Sequence, residues 1–155
     1  MAIPKKLLSH LNKNKIKYEI IKHKKVFTAY DMAQTMKRKL QEIAKTLLVK
    51  ADKKYYLVVI PAHYKLDFGK LKKLLKVKKV NIAKEKDMQT KFKVKLGAIT
   101  PFGTIHKLEV FADKNLAKLQ HAVFQAGSFT ESLKMKVKDF LKTENAKIGD
   151  LGKKK

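Results

Sequence analysis

The sequence predicts an α+β fold: a single compact domain with a mixed, mostly antiparallel sheet and flanking helices. β-rich runs alternate with amphipathic helical stripes along the chain. The 155 residues, 45% of them hydrophobic, suffice for one domain with a real apolar core. No interior segment resembles a linker. We therefore assign residues 1–142 to one domain. Residues 143–155, which are polar or small and end in three lysines, are predicted to form a flexible tail.

The first elements are two helices separated by a strand. Residues 3–14 form a predicted helix, because Leu7, Leu8 and Leu11 fall on one stripe. Residues 17–23 follow as a predicted strand. Thr28 is a plausible N-cap for the second helix, since Asp31 gives that helix an acidic first turn.

The middle of the chain predicts a β-hairpin followed by a helix and a short strand. Residues 42–50 and 55–61 are β-rich runs joined by a turn, and this hairpin is expected at the centre of the sheet. Asp67 is a good N-cap for an amphipathic helix, which ends before a short strand at residues 79–83.

The remaining elements surround one fixed loop. Residues 96–103 (LGAITPFG) contain two glycines and a proline, which exclude a regular element. Strands are predicted at 108–112, 121–125 and 133–137, and helices or helical turns at 84–92, 115–119 and 138–142.

Composition and spacing exclude most standard catalytic sites. The absence of cysteine excludes disulfides, thiol nucleophiles and iron–sulfur clusters. The five histidines form no HxH, HxxxH or HExxH pair, so we expect no metal, and no cofactor motif such as a Walker loop or GxGxxG occurs. No GxSxG elbow is present, and the 13 carboxylates are dispersed.

The net charge of +25 favours a polyanionic partner, most commonly nucleic acid. With Arg38 as the single arginine, phosphate contacts are favoured over base reading. A lysine-rich solvated surface without a partner is the alternative. Lysines interrupt the apolar stretch at the start of the chain, and the uncharged run at 55–64 is too short to cross a bilayer. We therefore expect a soluble cytoplasmic protein that does not contact a membrane.

Three segments differ from ordinary connecting sequence. In AKTLLV, strand alternation places Lys45 on the same face as Leu47 and Val49. The segment GAITP, residues 97–101, could direct peptide N–H groups at a ligand oxygen. The segment QAGS, residues 125–128, offers a close backbone approach and a hydroxyl. Each also has a plainer interpretation, namely a lysine that reaches solvent and two simple turns.

Taken in order, these segments resemble the YbaK-type aminoacyl-tRNA deacylases, which include the editing domain of bacterial prolyl-tRNA synthetases and its freestanding relatives. The likeness covers residues 5–142 and rests on the ordered set VFTAYDMAQ, AKTLLVK, YYLVVIPAHYKLDFGKL, GAITPFG and FQAGS. It implies a compact α+β fold, hydrolysis of the ester that joins a wrong amino acid to tRNA, and no cofactor.

The resemblance also implies roles for individual residues. Lys45 matches the family's lysine and would hold the terminal adenosine or the ester end of the substrate. Gly97 and Pro101 match the ends of the GxxxP loop, whose backbone would surround the aminoacyl group. The residues expected to be catalytic are Lys45, Gly97 and Pro101, and those expected to bind substrate are His23, Thr46, Ala98, Ile99, Thr100, Gly127 and Ser128. A surface histidine and a turn hydroxyl are equally open interpretations of His23 and Ser128.

Two differences from the family pattern concern the substrate. The GAITP segment lacks the second glycine that cysteine-specific relatives tend to have, and Ser132 and Leu133 stand where many relatives have an aspartate before the last strand. These differences favour alanine over cysteine on proline tRNA. The implied function is a freestanding enzyme that edits mischarged tRNA, with a synthetase as a further possible partner. The alternatives are an inactive tRNA- or synthetase-binding module of the same fold, and a lysine-rich domain that binds a small molecule.

Overall fold

The structure, a computed structural model, describes residues 3–25, 34, 40–92 and 99–154. The predicted helix at Thr28 lies outside these residues. Asp67 caps its helix as predicted, because its carboxylate accepts a hydrogen bond from Lys70 N at 3.1 Å. The described helices are α1 (Lys5–Lys13), α2 (Phe68–Leu75), α3 (Glu85–Lys91), α4 (Gly103–His106), α5 (Lys114–Ala117) and α6 (Val137–Thr143), with a 3-10 turn at Leu40–Glu42.

The strands follow the predicted order, with additions. The three-residue strand β4 and the two strands at the C-terminus are absent from the sequence-based prediction. The described strands are β1 (Tyr18–Lys22), β2 (Ala44–Ala51), β3 (Lys54–Pro61), β4 (Tyr64–Leu66), β5 (Val80–Ile82), β6 (Glu109–Asp113), β7 (His121–Gln125), β8 (Glu131–Lys136), β9 (Lys147–Gly149) and β10 (Gly152–Lys154).

The strands form three sheets. The largest has the order β5-β2-β3-β6-β9 and is mixed, because β6 runs parallel to both β3 and β9. The second, β1-β8-β7, is antiparallel, as is the pair β10-β4. The prediction of an α+β domain with a mixed sheet is confirmed, and the β2-β3 hairpin lies inside the largest sheet.

The two faces of the hairpin pack against different apolar layers. The first layer includes Ala44 and Leu48 of β2, together with three rings from other elements, Phe102, Phe124 and Phe140. The ring centroids of Phe124 and Phe140 are 4.7 Å apart. The second layer takes alternate residues of the same hairpin and is formed by Val49, Ala51, Val58, Ile60, Leu66, Leu71, Val80, Phe111 and Leu151. Strand alternation therefore gives adjacent residues of β2 different surroundings.

The C-terminal segment differs from the flexible tail that the sequence predicts. Leu151 is fully buried, and β10 pairs with β4. Asp113, also fully buried, accepts hydrogen bonds from Leu151 N and Gly152 N, each at 2.9 Å. A buried carboxylate needs such donors, so these bonds hold the segment against the fold.

Candidate active site

Lys45 lies near the start of β2 and is half-buried. Its neighbour across the hairpin is Ile60 of β3, a residue of the second apolar layer. Leu47 and Val49, on the same face of β2, belong to or pack against that layer. The ammonium group of Lys45 therefore extends from the edge of an apolar surface, as strand alternation predicts.

The strand pairings place two further polar residues beside Lys45. An isolated parallel bridge joins Ile43, just before β2, to Val123 of β7. Two residues further along each strand are Lys45 and Gln125, which therefore lie on the same face of neighbouring strands. Gln125 pairs in turn with Ser132 of β8. We call Lys45, Gln125 and Ser132 the polar row; Gln125 and Ser132 are direct cross-strand partners, about 5 Å apart between backbones.

His23 holds the hydroxyl at the end of the polar row. Its Nδ1 lies 2.7 Å from the carbonyl oxygen of Lys24, which can only accept, so Nδ1 carries the proton. Nε2 is then an acceptor for the hydroxyl of Ser132, at 2.8 Å. The sequence-based prediction includes His23 but gives Ser132 no role. The sequence does hold one signal for Ser132. It follows the Ser128 turn by four residues, and a hairpin around that turn would place it opposite Gln125, on the same face of the sheet.

Thr46 lies on the opposite face of β2 from Lys45. Its side chain is on the same face as Ala44 and Leu48 of the first apolar layer, and the residue is only 6% exposed. Within the described part of the chain, its Oγ1 is buried without a hydrogen-bond partner. A buried hydroxyl without a partner is costly, so Thr46 needs an explanation beyond packing.

The described end of the predicted loop, residues 99–101, is buried and is held by a side-chain hydrogen bond. Ile99, Thr100 and Pro101 are buried, whereas Gly97 and Ala98 lie outside the described residues. Thr100 Oγ1 is 3.0 Å from Nε2 of His106 and accepts a hydrogen bond from Phe102 N at 3.3 Å. Burial lowers the pKa of His106 to about 4, and the positive charge of Lys6 contributes. The imidazole is therefore neutral at pH 7, and its Nε2 shares a hydrogen bond with the Thr100 hydroxyl.

The Gly127 turn touches this loop. Gly127 has φ +78°, a left-handed conformation that favours glycine. A Cβ there would lie 3.2 Å from Pro4 and 3.3 Å from the methyl group of Thr100. The hydroxyl of Ser128 accepts hydrogen bonds from Thr130 N and Glu131 N, both at 3.1 Å, so it caps the turn. The second and third segments singled out in the sequence therefore meet in space.

A cleft lined by lysines opens near the far end of β2. We call it the lysine cleft. Its cavity has a volume of about 500 Å³, and its lining includes Lys50, Lys79, Lys84 and Lys86. Two aspartates also line it, but both carboxylates have other partners. The Asp87 carboxylate accepts a bond from the Tyr55 hydroxyl at 2.7 Å, and the Asp52 carboxylate accepts one from Lys79 N at 3.1 Å. The hydroxyl of Tyr55, with nearby lysines, lowers the pKa of Asp87.

Two further kinds of site to consider among the described residues are a cluster of metal ligands and a membrane-spanning helix. Across residues 3–25, 40–92 and 99–154, no three histidine or carboxylate side chains gather as metal ligands would. None of the described helices is long and apolar enough to span a membrane.

Comparison with known sequences identifies the family of the chain. The sequence model of the aminoacyl-tRNA editing domain family matches residues 23–143. The prolyl-tRNA editing protein ProX of Acetoanaerobium sticklandii is 31% identical over 116 residues, which cover 71% of each protein. A proline–tRNA ligase of Macrococcus caseolyticus is 29% identical over 96 residues, which are 62% of this chain but only 17% of that enzyme.

Solved structures show the same fold. A crystal structure of a protein proposed to be a trans-editing enzyme for prolyl tRNA synthetase superposes with a TM-score of 0.83 at 20% identity, covering 96% of both chains. The crystal structure of a hypothetical protein gives a TM-score of 0.88 at 19% identity, covering 96% of this chain and 99% of that one.

Proposed function

Because the chain belongs to the aminoacyl-tRNA editing domain family, we propose that it is an aminoacyl-tRNA deacylase that hydrolyses the ester bond of mischarged tRNA in trans. The observation that carries the proposal is the polar row beside the Gly127 turn. Lys45 and Gln125 place an ammonium and an amide on one face, and the buried Ser132 hydroxyl, bonded to His23, lies at the end of the row. These are groups that can hold the ribose and amino-acid ends of an ester.

The chemistry does not require a side-chain base. Water attacks the ester carbonyl carbon, the bond from that carbon to the ribose oxygen breaks, and the ribose hydroxyl leaves with a proton. The loop that ends at Pro101 would supply peptide N–H groups to the developing oxyanion, and Lys45 would orient the ester. In other hydrolases, removing one oxyanion donor costs about 100- to 1000-fold in rate. The anchoring of Thr100 by His106 supports this function, because it fixes the loop backbone.

We propose alanine or cysteine on proline tRNA as the substrate. The support is the ProX relative, whose name refers to prolyl-tRNA editing, and the small Ser132 side chain at the end of the polar row. A pocket that selects by size separates one methylene by only about 10- to 200-fold. Recognition of the tRNA itself, or of a prolyl-tRNA synthetase that delivers it, must therefore add selectivity. Such an enzyme would act in the cytoplasm, where tRNA is charged.

The lysine cleft supports binding of the tRNA backbone. Lys50 and Thr46 lie on the same face of β2, four residues apart, which is about 13 Å along a strand. Lys45 lies on the opposite face of β2, so phosphates bound in the lysine cleft would lie apart from the ester at the start of the strand. Such contacts release counterions, so affinity should fall steeply with salt.

The test is single-turnover hydrolysis of alanyl-, cysteinyl- and prolyl-tRNA for proline. We expect the native protein to release alanine or cysteine and to spare the prolyl ester. Lys45→Ala should remove this activity, whereas Lys65→Ala, at an exposed lysine of β4, should retain it. Full activity of Lys45→Ala would refute the assigned role. Persistence of all three esters with tRNA still bound would instead identify an inactive binding module.

A further inference from the structure

A buried carboxylate outside the polar row joins three elements behind the loop. The side chain of Glu144, just after α6, is fully buried. Its Oε1 accepts a hydrogen bond from Thr104 N at 2.9 Å, and its Oε2 lies 2.7 Å from His10 Nε2. Glu144 thereby connects α6, α4 and α1 through one carboxylate. A buried charge of this kind is retained only where donors satisfy both oxygens.

The surrounding groups fix which atom of His10 donates. Asn14 Nδ2 lies 3.4 Å from His10 Nδ1, and it also donates to the His10 carbonyl oxygen at 2.8 Å. An amide nitrogen only donates, so His10 Nδ1 accepts from Asn14. His10 Nε2 then carries the proton and donates a hydrogen bond to Glu144. A chain of directed hydrogen bonds therefore runs from Asn14 through His10 to Glu144, where it meets the bond from Thr104.

Thr104 stands where the loop ends. It is the second residue of α4, and Gly103 N donates to the Pro101 carbonyl oxygen at 3.0 Å. Gly103 itself has no room for a side chain, because a Cβ there would lie 2.4 Å from the Leu108 carbonyl oxygen. The bond from Thr104 to Glu144 thus ties this segment to the terminal elements of the chain, beside the packing of Phe102 on Phe140.

We propose that Glu144 is a positioning residue for the loop that ends at Pro101, and that His10 holds Glu144 in place. The inference rests on the proposed function, because it assigns the loop's geometry to turnover. Both residues lie outside the 23–143 range that the family's sequence model matches.

Removing the carboxylate should slow turnover more than it weakens tRNA binding. In Glu144→Ala, Thr104 N loses its acceptor, and the loop can shift by a fraction of an ångström to about 1 Å. Misplacement on that scale costs about 100-fold in rate, so we expect kcat to fall about 10- to 100-fold. KM for tRNA should stay within about two-fold, since Glu144 is buried and cannot contact the phosphates.

The experiment compares Glu144→Ala with Glu144→Gln. The control is Glu109→Ala, which removes a carboxylate that is 61% exposed. The amide of Glu144→Gln keeps an oxygen for Thr104 N, and its nitrogen can donate to His10 Nε2 once the imidazole takes its other tautomer, so it should restore most of kcat. Thermal unfolding of each variant sets an assay temperature at which all are folded. Hydrogen–deuterium exchange of residues 99–108 is measured at that temperature, and we expect faster exchange in Glu144→Ala alone.

The outcomes separate this inference from the proposed function. Slower turnover with faster exchange in Glu144→Ala, both reversed in Glu144→Gln, supports the positioning role. Unchanged exchange at 99–108, or a kcat within two-fold of the native value, overturns it. If the native protein hydrolyses no ester, the proposed function fails. The exchange measurement then still decides whether Glu144 orders the loop.

Discussion

Stability should decrease in mild acid because of one imidazole. His106 is half-buried beside Thr100, and burial, with the charge of Lys6, lowers its pKa from an ordinary 6.5 to about 4. The folded protein therefore keeps this group neutral at pH 5, whereas the unfolded chain protonates it below pH 6.5. Between about pH 6.5 and pH 4 the unfolded state binds more protons, so the free energy of unfolding falls as pH falls.

The size of the effect follows from the two pKa values. At pH 5, which is about 1.5 units below the pKa of the unfolded imidazole, that imidazole is almost fully protonated, whereas the folded one is hardly protonated. The free energy of unfolding is therefore lower than at high pH by about 2 kcal/mol. Because His106 is only half-buried, solvent screening reduces this figure, and we expect a loss of about 1 kcal/mol between pH 8 and pH 5. For a chain of this size, that change corresponds to a fall in Tm of about 2 to 4 °C.

Urea unfolding at pH 8, 6.5 and 5 measures this loss. The comparison is with His106→Gln, which keeps an acceptor for the Thr100 hydroxyl but does not titrate. Because the other histidines titrate equally in both proteins, the difference between their pH dependences isolates His106. We expect the native protein to lose about 1 kcal/mol more than the variant. Identical pH dependences would refute the claim that the buried imidazole stays neutral.

Three further variants test other features. Gly127→Ala should cost about 1 to 2 kcal/mol because of its left-handed backbone, and an unchanged Tm would contradict that constraint. Thr46→Val should leave the free energy of urea unfolding equal or up to about 1 kcal/mol higher, because the lost hydroxyl is unpartnered within the described part of the chain. A clear destabilisation by Thr46→Val would contradict this expectation. The double variant Lys84→Gln, Lys86→Gln should reduce the salt dependence of tRNA binding, measured as the slope of log K against log salt, by about 1 to 2. A slope equal to the native one, or the same loss after neutralising two exposed lysines of α2, would contradict a role for the lysine cleft.

Local sequence signals predicted the elements that local physics determines. The β2-β3 hairpin, the cap at Asp67 and the turn at Gly127 were predictable because alternation, an N-cap side chain and glycine act within a few residues. The α+β class followed from the order of these elements. The same reasoning placed Lys45 on the face of Leu47 and Val49, which the layers of the sheet bear out.

Contacts between distant segments were beyond such signals. Ser132 joins the polar row only because β7 lies between β2 and β8, an arrangement that no local pattern encodes. The C-terminal strands escaped prediction for the same reason, since Asp113 reaches them from 38 residues away. Short strands of three residues, such as β4, carry too few side chains for an alternation to be visible.

The fold separates the groups that would hold the tRNA from those that would hold the loop. The lysine cleft is open to solvent, whereas the supports of the loop are inward-facing contacts at Gly127, His106 and Glu144. Changes in the cleft should therefore alter KM and its salt dependence while Tm and kcat remain. Changes at the supports should lower kcat together with Tm. A cleft variant that lowered kcat at saturating tRNA would show that tRNA binding and loop geometry are coupled, and this separation would then not hold.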